Sequence, residues 1–281
     1  MHKSISQRKL FRWLPRLGLA TSILVLALAG LNSRTAANGS TSCGSSLGLH
    51  PPIEGQALSG HLDVLSWNIQ KASNDGWAQD LADLAGDVHL AFIQEAALQA
   101  MIPDVIPGSP LYQAFTQGYA TDSLHTGVMT LSSHSPSMLC NFTALEPWLG
   151  TPKAVTVTEH PLEGRDERLL AINIHAVNFT FGVQDFRKQL EPVAQLLAQH
   201  SGPAILAGDF NTWSNARQQL VDQLLGNHGL DALEFTDDLR TTAFGRPLDH
   251  IYIRGLRAES AEVIPVQSSD HNALRARLWF D

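Results

Sequence analysis

From residue 61 onward the chain alternates short apolar runs with clusters of Gly, Pro, Asn, Asp and Ser. Eight of those runs (62–69, 89–94, 127–131, 154–158, 169–176, 204–207, 249–253 and 273–279) have strand length, and several are rich in β-branched residues. Three other stretches carry apolar residues at helical spacing. Trp77, Leu81 and Leu84 share one face of 77–84. Phe186, Leu190, Val193, Leu196 and Leu197 share one face of 183–199, where Pro192 is expected to kink the helix. The third stretch is 215–225. Many strands and few helices predict two stacked sheets with helices outside, not a doubly wound parallel sheet. Apolar residues hold the strand centres, and the polar ones collect at strand ends.

The first sixty residues follow another pattern. Lys3, Arg8, Lys9, Arg12 and Arg16 precede an apolar run over 17–31, and the first acidic residue is Glu54. A basic flank ahead of a hydrophobic stretch predicts a signal peptide or membrane anchor over 1–33. The positive flank would stay in the cytoplasm, placing the rest of the chain outside it, in the periplasm of a Gram-negative cell. A misassigned start codon would instead leave the protein cytoplasmic. Residues 34–60 are rich in Ser, Thr, Gly, Ala and Pro without apolar periodicity, which predicts a flexible linker. One folded domain follows over 61–281.

Composition narrows the function. A hydrophobic fraction of 44% and a charged fraction of 16% exclude global disorder. A net charge of -8 argues against a generic electrostatic binder of nucleic acid. It leaves room for an enzyme acting on phosphates, because a carboxylate-held metal ion would supply the positive charge. The two cysteines, Cys43 and Cys140, are too few for a zinc cage, and whether they pair is open at this level. The aromatic residues read as packing, not as a base-stacking platform, and no hydrophobic hairpin of the bilayer-inserting kind separates the strands.

Six segments place a polar residue at the end of a buried-looking strand: Ser66-Trp67-Asn68-Ile69, Ile93-Gln94-Glu95, Asn173-Ile174-His175, Gly208-Asp209-Phe210-Asn211, Leu248-Asp249-His250 and Ser269-Asp270-His271. One such residue alone is usually a turn or a cap. Six in one domain must pair with one another or surround a cation, because a neutral polar group buried without a partner costs roughly 2–7 kcal/mol. Glu95 and Asp270 offer carboxylates and Asn68 an amide oxygen, a donor set for a hard cation such as Mg²⁺, Mn²⁺ or Ca²⁺. Asp270 and His271 are adjacent, so in extended chain their side chains diverge. A carboxylate such as Asp249 would orient the imidazole of His271 to take a proton from water.

Taken in order, these motifs, with Gly127-Val128-Met129-Thr130-Leu131, resemble the endonuclease/exonuclease/phosphatase superfamily, and 173–179, 207–213 and 244–249 look closest to its bacterial YafD-like branch. That branch does not require a hydrophobic leader, so the N-terminus departs from it. The resemblance implies a DNase I-like α/β fold, a four-layer αββα sandwich of two mixed sheets flanked by helices. It implies a phosphoesterase using Mg²⁺ or Mn²⁺, with Glu95 as principal metal ligand helped by Asn68 and Asp270. His271 would be the general base, oriented by Asp249. Asp209 and Asn211 would position the nucleophile and a phosphate oxygen, and His175 would bind the phosphate or protonate the leaving group. His250 is expected to pack, and Lys153, Asn178, His125 and Arg246 to be surface or turn residues. A phosphodiesterase or nuclease is the leading expectation, with a small-molecule or lipid phosphatase and a silent binding module as alternatives. The expected partner is the phosphoester itself, nucleic acid among the candidates, with membrane attachment through the leader and a monomer by default.

Overall fold

The computed structural model describes residues 43–281 apart from 52, 54, 109 and 110, so the leader expected over 1–33 and the first part of the linker lie outside the described residues. The chain runs through β1 (His61–Asn68), α1 (Trp77–Ala85), β2 (Leu90–Ala97), β3 (Tyr112–Ala120), β4 (His125–Ser132), β5 (Met138–Leu145), β6 (Pro152–Pro161) and β7 (Arg168–His175). It continues through α2 (Gln184–Gln199), β8 (Ala204–Asp209), α3 (Asn215–Gly226), β9 (Asp231–Ala232), β10 (Thr242–Ala243), β11 (Arg246–Pro247), β12 (Asp249–Arg254), β13 (Leu256–Ile264) and β14 (Ala273–Phe280). One six-stranded sheet has the order β13-β14-β1-β2-β4-β3 and the other β5-β6-β7-β8-β12-β9, while β10 and β11 form a separate hairpin. Each sheet is mixed. Its one parallel pair is a strand–helix–strand unit, β1-α1-β2 in the first sheet and β7-α2-β8 in the second. This is the four-layer sandwich that the strand count predicted.

Three apolar layers hold it together. Leu62, Val64, Leu90 and Phe92 of the first sheet meet Leu169, Ala171, Ile205, Ala207 and Ile251 of the second. Leu65, Trp67 and Ile69, one residue out of phase, pack under Leu81 and Leu84 of α1. Val155, Ile172 and Ile174 pack under Phe186, Leu190 and Val193 of α2 and Val221 of α3. Each central strand therefore serves one layer with its even positions and another with its odd ones. Pro192 lies inside α2, which runs on through it to Gln199.

From Cys43 onward, the segment read as a flexible linker is tied to the domain. Cys43 forms a disulfide with Cys140 of β5, Cα atoms 5.7 Å apart. The amide of Gly48 donates to both carboxylate oxygens of the buried Glu159. Leu58 is fully buried, its amide donating to Pro161 and its carbonyl accepting from Glu163. The folded unit thus starts earlier than residue 61.

Two histidines are buried in the neutral form. His160 keeps one hydrogen bond, 3.0 Å to Thr158 Oγ1, and burial, aided by His134, pulls its pKa down to about 3. Burial and the Arg240 guanidinium do the same to His250, also to about 3. Such a ring takes up a proton in the unfolded chain below its ordinary pKa of 6.5 but not in the folded one. The stability involved is complete above that pH and drains away as pH falls from it toward 3, at about 1.4 kcal/mol per pH unit for each ring. Denaturant unfolding of wild type and His160→Gln between pH 7 and 4 should show a shallower acid loss in the variant. Parallel curves would mean that His160 titrates normally in the folded protein.

Candidate active site

The polar groups at the strand ends continue the faces that build the layer between the sheets. Leu62 and Val64 are followed at the same parity by Ser66 and Asn68, Leu90 and Phe92 by Gln94, and Leu169 and Ala171 by Asn173 and His175. Ile205 and Ala207 are followed by Asp209, and Ile253 and Ile251 of the antiparallel β12 lead back to Asp249. At one end of the sandwich, the apolar layer thus becomes polar in both sheets. Cross-sheet bonds follow: Gln94 Nε2 donates to Asn173 Oδ1 at 2.8 Å, and Asn68 Nδ2 to Asp209 Oδ2 at 3.1 Å.

Asp209, Asp249 and His271 are all buried, with ligand-type atoms within 4.8 Å of one another. His271 Nδ1 lies 2.7 Å from Asp249 Oδ2, and its Nε2 lies 3.9 Å from Asp209 Oδ2. The ring is set in place by its own backbone. Its carbonyl accepts from Trp67 Nε1 at 2.9 Å, and its amide donates to Ser269 Oγ, whose hydroxyl donates to the Asn68 carbonyl. Burial works against a charged ring here, but Asp249 and Asp209 outweigh it and raise the His271 pKa to about 10. Burial raises the Asp209 carboxyl to about 6, with His271 opposing the rise and Asp249 adding to it. The two carboxylates thus favour the charged form of the ring against the opposing effect of burial.

His175 approaches the same oxygen of Asp209, its Nε2 3.4 Å from Oδ2. Lys153 of β6 donates to the same Nε2 at 2.7 Å. Burial, then the charges of Lys153 and His271, hold His175 well below its usual pKa, so the ring is neutral. Lys153 was expected to be a surface or turn residue; opposite the end of β7, it enters the site. Asn211 sits at φ 51, its amide on Asp209 Oδ1 and its Nδ2 on the Ala176 carbonyl, both at 3.0 Å. Gly208 is required before it: a Cβ there would lie 2.0 Å from the Ile174 carbonyl oxygen.

Glu95 reaches its position through a bulge. Parity alone would aim it toward α1, but the register against β4 breaks between Ile93 and Ala96, and Glu95 takes φ 49. Its carboxylate, partly exposed, is ion-paired with Lys71. Gln70, Lys71 and Ala72 all have positive φ. Asn68 Oδ1 accepts from the Gln70 amide at 3.1 Å. Asp270 is exposed while His271 is buried, the divergence expected of neighbours. Neither Glu95 nor Asp270 belongs to the Asp209–Asp249–His271 group. His250 packs on the outer face, its Nε2 2.7 Å from Thr212 Oγ1.

The loops after β7 and β8 share a support that no motif announced. Arg217 of α3 is fully buried. Its guanidinium donates to the carbonyls of Val177, Asn178 and Asn211 and to Thr180 Oγ1 at 2.7–3.0 Å, between the rings of Phe186 and Trp213. In sequence it reads as an ordinary polar helix residue.

With this arrangement in view, comparison with known proteins is decisive. The sequence pattern of the Endonuclease/Exonuclease/phosphatase family matches residues 65–271. The chain belongs to that family. A UPF0294 protein of Vibrio vulnificus (strain YJ016) is 38% identical over 216 residues, 76% of each chain. Two solved structures show the same fold at low identity. The human Nocturnin catalytic domain with bound sulfate has a TM-score of 0.61 and 16% identity over 80% of this chain and 96% of its own. The Bacteroides thetaiotaomicron mannosyl-6-phosphatase has a TM-score of 0.59 and 18% identity over 78% of this chain and 100% of its own.

Lysine cannot replace the fork of Arg217, which satisfies four acceptors at once. Arg217→Lys is expected to cost about 2–3 kcal/mol in denaturant unfolding. A loss below about 1 kcal/mol would show that the loops stand without it.

Proposed function

We propose that the protein hydrolyses phosphodiesters with a divalent cation, Mg²⁺ or Mn²⁺. The observation that carries this reading is the His271–Asp249 pair, 2.7 Å apart, beside a second buried carboxylate, Asp209, where the polar strand ends of the two sheets meet. The donor chemistry suits the cation: the partly exposed Glu95 carboxylate already attracts the Lys71 ammonium, Asn68 adds an amide oxygen on the neighbouring strand end, and no thiolate competes. Glu95, Asn68 and Asp270 are the residues we assign to hold it. When bound, the cation supplies charge that neutralises phosphate and polarises the scissile ester.

The chain's own groups do the rest. Asp249 fixes the His271 ring with Nε2 turned toward Asp209, and a divalent cation at the neighbouring carboxylates would offset the negative charge that holds this ring protonated, freeing Nε2 to take a proton from water. Asp209, held by Asn68 and the Asn211 amide, orients that water. Lys153, gripped by the neutral His175, binds a non-bridging phosphate oxygen and the charge it gains in the transition state. A proton-donating role for His175 gives way to this, since its Nε2 already accepts from Lys153. Against the alternative of a silent binding module stands the sequence, in which none of these side chains is replaced by an inert one.

The disulfide supports an exported protein, since such bonds persist in oxidising compartments. Thiol alkylation in intact cells should label neither Cys43 nor Cys140 before reduction and both after it. Labelling without reductant would place the domain in the cytoplasm.

Assays of the full chain on an aryl phosphodiester, oligonucleotides and phospholipids should show activity that chelator abolishes and Mg²⁺ or Mn²⁺ restores. Glu95→Gln and His271→Asn are each expected to lower the rate by roughly 10²–10⁴-fold with folding intact. Wild-type rates in the variants, or inertness of wild type on every substrate, would end this reading.

A further inference from the structure

The large apolar side chains that face solvent are not spread over the molecule. Of the thirteen among the described residues, two follow β2, three lie at the end of β5 and the turn after it, two follow β7 and two lie between β9 and β12. These nine all belong to the end of the sandwich that carries the site. Apolar residues scattered singly over a surface need no explanation, but nine of them gathered at one end do.

The cluster is built, not frayed. Trp148 and Phe181 pack edge to face with centroids 4.4 Å apart, although each is more than half exposed. Their loops are fastened together by Glu146, itself buried, which accepts from the amides of Asn178 and Phe179 and from Thr151 Oγ1. Phe244 stands at the tip of the β10–β11 hairpin, 89% exposed. It has φ 52 and is followed by Gly245 at φ 75. A turn with two left-handed residues favours Asn-Gly, and an aromatic there is strained. Its one aromatic neighbour, Trp213, lies 6.1 Å away, so packing offsets little of that strain.

We propose that this cluster docks the site onto a zwitterionic phospholipid surface, so that the phosphodiester of a lipid headgroup is the substrate. The inference rests on the phosphoesterase reading above. Protruding Trp, Phe and Leu on several loops suit a broad interface that is apolar below and polar above. A single base or sugar would call for a slot instead. Charge selects the kind of lipid: at -8 the chain is repelled by an anionic surface, so attraction must come from apolar insertion. The spacing between the apolar run and the domain permits it. The run 17–31 precedes Cys43 by eleven residues, which span at most about 40 Å when extended, against about 26 Å for the eight residues of β1. A domain tethered by that run has the reach to turn its site end onto the same bilayer.

The test uses the full chain in a Trp13→Phe background, which silences the leader's own tryptophan. Phosphatidylcholine vesicles brominated in the acyl chains should quench the fluorescence, and Trp148→Phe should remove that quenched component. Phe244→Asn should raise the melting temperature by relaxing the turn while weakening vesicle binding. Equal quenching with and without Trp148 would overturn the proposal, because the leader alone would then be holding the protein to the membrane. Protection of Trp148 by single-stranded oligonucleotide but not by vesicles would overturn it too, in favour of base stacking. An aryl phosphodiester separates the two failures. Wild type active on it yet unquenched by vesicles refutes only the lipid assignment, whereas wild type inert on it and on phospholipid refutes the phosphoesterase reading.

Discussion

The layer between the two sheets takes side chains from every second position of each central strand, and the site depends on that alternation. One face of each of β1, β2, β7, β8 and β12 supplies Leu, Val, Ile, Phe or Ala until the sandwich opens, then Asn68, Gln94, His175, Asp209 or Asp249. No separate scaffold is needed to converge these groups. The strands that seal the core also aim the chemistry, and a slip of one residue in any of them would exchange a site residue for an outward one. Glu95 is the exception, and the bulge in β2 with its positive φ is the local cost of placing it.

Charge balance is the second constraint. Two carboxylates, Asp209 and Asp249, are buried with one imidazole between them, and a lysine approaches through His175. Burial opposes every one of these charges, so each depends on its neighbours. His271 is held charged by the two aspartates, whereas His175 is held neutral by burial and the cations around it. Two histidines beside one aspartate oxygen are thus driven toward opposite protonation states, set by surroundings and not by residue type.

Much of this was legible in the chain. All eight segments with strand patterning are strands, and the three helical faces are helices. Of the six strands without a signal, β3, β5, β9 and β13 are the edges of the two large sheets, where exposure lets polar and small residues replace the apolar pattern, and β10 and β11 are two-residue strands of the separate hairpin. The strand-end motifs named the site, but not its support. Lys153 lies at the start of β6 with nothing local to mark it, and Arg217 shows its role only through carbonyls contributed by other loops. The aromatic residues, read as packing, are divided: Trp67 and Phe210 are core, while Trp148, Phe181 and Phe244 stand in solvent. No sequence window could join those three, because each comes from a different loop.

The pairing of β1 with β14 has a consequence for how the protein is made. His61 lies opposite Trp279, so the first strand of the domain finds one of its neighbours only in the last. Until β14 is synthesised, the first sheet lacks an inner strand. His271 lies just ahead of that strand, so the site too is completed only at the end of the chain. Contacts this distant in sequence form slowly. The first sheet and the site thus stay unfinished until the last strand emerges, whereas the second sheet has all its strands once β12 is made.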